Sequence, residues 1–76
     1  MTSSSFHKEI PRAENAFRFP IKALDYDIQE QLNNYKEQYH LVMNYDWVFV
    51  SYSLYGVLFI YVRDRNNVEN RIDIIL

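Results

Sequence analysis

The chain has 76 residues, with one glycine, two prolines and no cysteine. That length fits one domain, and the missing cysteines exclude disulfides and thiolate metal sites. Eight basic and 10 acidic residues give a formal charge of −2, which suits neither a general nucleic-acid binder nor a strongly acidic mimic. A chain this small buries only about 60% of the surface its unfolded form exposes, so its stability must come from an aromatic core, a partner, or both. Seven tyrosines, five phenylalanines and one tryptophan supply the aromatic share.

Residues 1–14, MTSSSFHKEIPRAE, are polar and mixed, with Pro11 and a serine run. They read as a flexible N-terminal tail that could order on a partner. No apolar region follows the first five residues, so no secretory signal is expected. The domain is expected over 15–76.

In 16–23, Phe17, Phe19, Ile21 and Ala23 alternate with Arg18, Pro20 and Lys22. Period two predicts a strand with one buried face. Pro20 lacks an N–H, and Arg18 and Lys22 discourage pairing with other chains, so this strand belongs at an edge.

The period then changes. Ile28, Leu32, Tyr35, Tyr39 and Val42 form one apolar stripe of a helix over 26–43, ending near Asn44. Asp25 or Asp27 would cap it, and Asp27 with Glu30 has capping-box spacing.

Residues 46–54, 57–63 and 70–76 are β-branched and aromatic and predict three more strands. Gly56 would supply the positive φ of a tight hairpin between the first two. Asp64-Arg65-Asn66-Asn67 reads as the next turn. The apolar run from Trp47 to Val62 falls short of a membrane span of about 20 residues and contains Ser51, Ser53 and Gly56.

The expected fold is therefore α+β, ordered β-α-β-β-β, with a mostly antiparallel four-stranded sheet and one helix on one face. Along the second and third strands, Trp47, Phe49, Val57, Phe59 and Tyr61 share one parity. Val48, Val50, Tyr52, Leu54, Leu58, Ile60 and Val62 share the other. Neither set is polar, and one helix covers one face only. The second face needs another cover: a second copy, a different protein, or the N-terminal tail.

Catalytic and metal signals are poor. His7 lies in the tail and His40 on the outer face of the helix, and no metal-ligand spacing, phosphate loop or nucleophile elbow is present. No cofactor, metal or enzymatic activity is expected. The reading is a non-enzymatic protein-binding module, a regulator or inhibitor of the kind phages direct at host proteins. It would occlude a partner surface and form a homodimer through an aromatic sheet face. Its partner-binding residues would be Trp47, Phe49, Tyr52, Phe59, Tyr61, Arg63, Arg65 and Arg71. Trp47 would serve either as interface anchor or as the main core residue under the helix. The alternative is a single-stranded nucleic-acid binder that stacks bases on Tyr52, Phe59 and Tyr61 and holds phosphates with Arg63, Arg65 and Arg71. Interleaved Asp64, Glu69 and Asp73 weigh against it. The expected compartment is cytoplasmic, the host cytoplasm if the chain is viral, with no membrane association.

Overall fold

The computed structural model describes residues 3–76. The elements run β1 (Ser3–Lys8), β2 (Phe17–Pro20), a 3-10 turn (Ile21–Ala23), α1 (Tyr26–Gln38), β3 (Trp47–Tyr52), β4 (Val57–Arg63) and β5 (Glu69–Ile75). All five strands form one antiparallel sheet in the order β1-β5-β4-β3-β2. The α+β class and the single helix agree with expectation, but the sheet has a fifth strand. The serine-rich stretch expected as a flexible tail supplies it, with Ser3 opposite Ile75 and Lys8 opposite Asn70. Its own sequence carries little strand signal. The apolar edge of β5 provides the register instead, and Phe6, opposite Ile72, packs on the core.

The sequence placed an edge strand over 16–23, and β2 is that edge, shortened to Phe17–Pro20. Gly56 adopts φ +73° in the β3–β4 hairpin, as its position required.

The helix is shorter than its apolar stripe. Tyr39 caps it, and His40 takes φ +52°. The Leu41 amide donates to the Lys36 carbonyl at 2.9 Å, and the His40 amide to Glu37 at 3.4 Å. This is a Schellman ending with histidine where glycine is usual. It turns the chain so that Leu41 enters the core, while Val42 is half exposed. Asp25 stands at the N-cap without a side-chain cap bond, and Asp27 lies inside the first turn, so the expected capping box is not formed. The Gln29 side chain instead donates to the Leu24 carbonyl at 2.7 Å.

One sheet face meets the helix. Val48, Val50, Leu58, Ile60, Val62, Ile72 and Ile74 pack there with Ile28, Leu32 and Leu41. All the sheet members of that group are at most 4% exposed. Trp47 has the opposite parity and is not under the helix.

The turn from β4 to β5 is built on Asp64. Its Oδ1 accepts the amides of Asn66 (2.9 Å) and Val68 (3.0 Å), and Oδ2 accepts from Asn70 Nδ2 at 3.4 Å. Burial would push this carboxyl up. The hydrogen bonds from Val68, Asn70 and Asn66, with the positive charge of Lys8, outweigh it and hold the pKa below the usual value.

Candidate interaction surfaces

The face away from the helix is aromatic and charged. Across its middle, Arg18, Phe49, Tyr61, Arg71 and His7 stand opposite one another on successive strands. The next row is Ser51, Phe59, Asp73 and Ser5. Trp47, Phe49, Phe59, Tyr61, Arg63 and Arg71 of the expected binding set thus share this face. Tyr52 does not: it pairs with Leu58 on the helix side and is 60% exposed. Arg65 lies in the β4–β5 turn, in a cavity wall with Phe6, Lys8 and His40.

The chain itself covers part of this face. β1 and β2 lie at opposite edges, so residues 9–16 must traverse the sheet to join them. The guanidinium of Arg12 sits 3.7 Å from the centre of the Phe49 ring. Ile10, Ala13 and Ala16 in this strap are half-buried. Tyr61 and Ser51 are each only 2% exposed. Of the three covers that the apolar pattern called for, the N-terminal segment is the one seen here.

The remaining groups on the face are already engaged. Arg71 is paired with Asp73 (Nε to Oδ1 2.6 Å) and lies 4.7 Å over Phe59. Arg63 meets Glu69 at 2.8 Å and donates to Asn67 at 2.9 Å. Trp47 is stacked on Tyr45 at 4.6 Å, meets Phe49 edge-on at 5.2 Å, and has Arg18 over its ring at 5.4 Å.

Ser5, His7 and Asp73 come together in a group that resembles a catalytic set. Ser5 Oγ and Asp73 Oδ2 both contact the same ring nitrogen, His7 Nε2, each at 3.1 Å. A serine relay needs one nitrogen facing the hydroxyl and the other facing the carboxylate. This arrangement cannot draw the serine proton while the acid orients the ring. A groove of about 610 Å³ between α1, the 3-10 turn and the 41–46 loop is lined by Ile21, Lys22, Lys36, Leu41, Met43 and Asp46 among others. It brings no nucleophile against a base. Among the described residues no cluster of three or more His, Asp or Glu could hold a metal ion.

A second surface was not singled out by the sequence. The β3–β4 hairpin tip carries Leu54 at 99% and Tyr55 at 90% exposure. Tyr52, Ile75 and Leu76 are also exposed beside it, and the Leu76 amide donates to the Gly56 carbonyl at 3.1 Å, tying the end of β5 to the tip. Ser53 Oγ accepts the amides of Tyr55 and Val57, both at 3.2 Å, so the turn is held by its serine. A signal for this surface was available. Turns favour Gly, Asn, Asp and Ser, and here a leucine and a tyrosine occupy the apex.

Comparison of the chain with protein-family models, with curated proteins and with solved structures found no match. Residues 47–62 form a hairpin, and among the described residues no helix is long and apolar enough to cross a membrane.

Proposed function

We propose that this protein is a non-enzymatic binding module, a regulator or inhibitor that docks a protein partner through the β3–β4 hairpin tip. The observation that carries the reading is the near-complete exposure of Leu54 and Tyr55 on a hydrogen-bonded turn. An apolar apex stabilises nothing in the isolated chain, and contiguous exposed apolar surface of this kind marks interaction sites. Exposed Tyr52, on the helix side of the sheet, and Ile75, on the open face, flank it, with Leu76 tied to the turn. A rigid tip with one aliphatic and one aromatic side chain fits an apolar cleft on another protein, and loops held on a firm scaffold commonly serve this purpose. Trp47, Phe49, Phe59 and Tyr61 then act mainly within the chain, where arginines and the strap already cover them. The same engagement of Arg63 and Arg71 with acids argues against the nucleic-acid alternative.

The test is the double substitution Leu54→Ala, Tyr55→Ala. Both side chains are exposed, so thermal stability should shift by no more than about 0.5 kcal/mol. Capture of a partner from source-cell extract, seen with the unaltered chain, should be lost. Identical captured proteins from both forms would overturn the reading. Binding of labelled single-stranded RNA or DNA at low salt, steeply weakened by added salt, would favour the alternative.

A further inference from the structure

The two edges of the sheet are built differently. β2 is four residues long, contains Pro20, and turns Arg18 to the open face. Those are devices that block strand addition. β1 is six residues long, Ser3–Lys8, with no proline. It has no neighbour on its outer side, and among the described residues no other backbone segment bonds there.

The direction of its backbone groups follows from the ladder. Antiparallel strands alternate hydrogen-bonded and non-hydrogen-bonded pairs. The Ser53 amide donates to the Val57 carbonyl at 2.8 Å, so odd-numbered residues of β4 bond to β3. The Asp64 amide donates to Val68 at 3.1 Å, so even-numbered residues of β4 bond to β5. Odd-numbered residues of β5 then bond to β1, through the pairs Ser5↔Asp73 and His7↔Arg71. The N–H and C=O groups of Ser4, Phe6 and Lys8 are left pointing outward.

We propose that β1 pairs antiparallel with β1 of a second copy of this chain, joining the two sheets into one continuous sheet. The strand is self-complementary about a two-fold axis at Phe6. In that register Ser4 faces Lys8 of the other copy, Phe6 faces Phe6, and Ser5 faces His7. Three properties select it. Every residue with outward backbone groups meets another such residue, so each outward N–H finds a carbonyl. Facing residues have the same parity, so both helices lie on one side of the joined sheet. No like charges stand directly opposite, which would otherwise oppose pairing. The aromatic surface agrees. Phe6 is stacked on Tyr39 at 4.2 Å, and Tyr39 remains 47% exposed beside this edge. A second copy would bury it. This pairing uses neither the hairpin tip nor the aromatic open face, so it stands apart from the proposed docking function.

Sedimentation equilibrium of the full chain at micromolar to hundred-micromolar concentration should give twice the 9.3 kDa chain mass. Ser4→Lys places a lysine against Lys8 of the other copy on both sides of the axis and should weaken the dimer at least tenfold. Adding Lys8→Glu to that variant replaces repulsion with attraction and should restore it. Circular dichroism must show the native fold in both variants. A second, covalent readout uses the absence of native cysteine: Phe6→Cys should form an interchain disulfide on mild oxidation, and Glu14→Cys should not. A folded wild-type monomer at hundred-micromolar concentration overturns the proposal. So does a dimer whose affinity ignores both the Ser4 substitution and its charge rescue, and so does equal crosslinking from both cysteines, since each places the contact elsewhere.

Discussion

The two faces of this sheet solve the same packing problem with different chemistry. Toward the helix lie aliphatic side chains, among them Val48, Ile60, Val62, Ile72 and Ile74, all at 0% exposure. They are shape-filling and directionless, and their stabilisation scales with apolar area removed from water. Away from the helix lie Trp47, Phe49, Phe59 and Tyr61, interleaved with Arg71, Asp73 and His7. Here rings are covered by guanidinium groups rather than by a second helix. Among the described residues a single α-helix is present, and it covers the other face. An eight-residue strap and a few arginines supply a thin cover here. That solution leaves the aromatic face less deeply buried, and its stability rests on polar contacts as well as area.

Neighbouring residues test this contrast most sharply. Ile60→Ala, at the centre of the aliphatic face, should cost about 2–5 kcal/mol in denaturant unfolding. Phe59→Ala removes a larger side chain from the other face, yet it should cost about 1–2 kcal/mol, because the ring is only partly withdrawn from water. Equal losses would erase the distinction. Next in size comes Asp64, a polar group held beside the aliphatic layer. Asp64→Ala strips the Asn66 and Val68 amides of their acceptor and should cost about 1–3 kcal/mol. Its depressed pKa also fixes a sign. The folded protein holds the ionised form more tightly than the unfolded chain, so this contribution is complete above the ordinary carboxylate range. It is lost as pH falls through the lower folded value. Acid titration of unfolding stability should show that loss in the unaltered chain, and Asp64→Ala should flatten it.

Much of this architecture was legible in the residues. The alternation of Phe17 and Phe19 with Arg18 and Pro20 gave both a strand and its edge position. Gly56 marked the hairpin, and the two-parity pattern of β3 and β4 implied a covered second face. Three features were not legible. Nothing in Ser3–Lys8 compels a strand, because its pairing depends on β5, distant in sequence. The helix stripe continues through Tyr39 and Val42, while the true end is set by backbone geometry at His40. Within the binding set, parity alone could have separated Tyr52 from Phe59 and Tyr61. Leu54 and Tyr55 beside Gly56 signalled an apolar turn apex, but only the folded turn fixes their near-complete exposure.

Smaller effects probe the cover and the helix end. Arg12→Ala removes the strap's contact with the Phe49 ring and should lower stability by about 0.5–1 kcal/mol. Hydrogen exchange at residues 9–16 should quicken more than exchange in β4. His40→Gly relieves a left-handed backbone at a helix C-terminus and should raise stability by about 0.5–1 kcal/mol. A loss instead would mean that the histidine side chain contributes something its exposed position does not reveal.

The pairing of β1 with β5 has a consequence for how the chain reaches this state. Hairpins β3–β4 and β4–β5 join neighbouring segments and can close early, at little entropic cost. β1 has no place to go until β5 is in position, so a strand near one end of the chain must wait for a strand near the other. During that interval Phe6 and the strap are unanchored, and the Phe49 side of the sheet is bare. Assembly is therefore expected to run from the β3–β4 hairpin outward, with β1 amides gaining protection after those of β4 in pulse-labelled refolding, and closing β1 onto β5 both finishes the sheet and draws the cover across it.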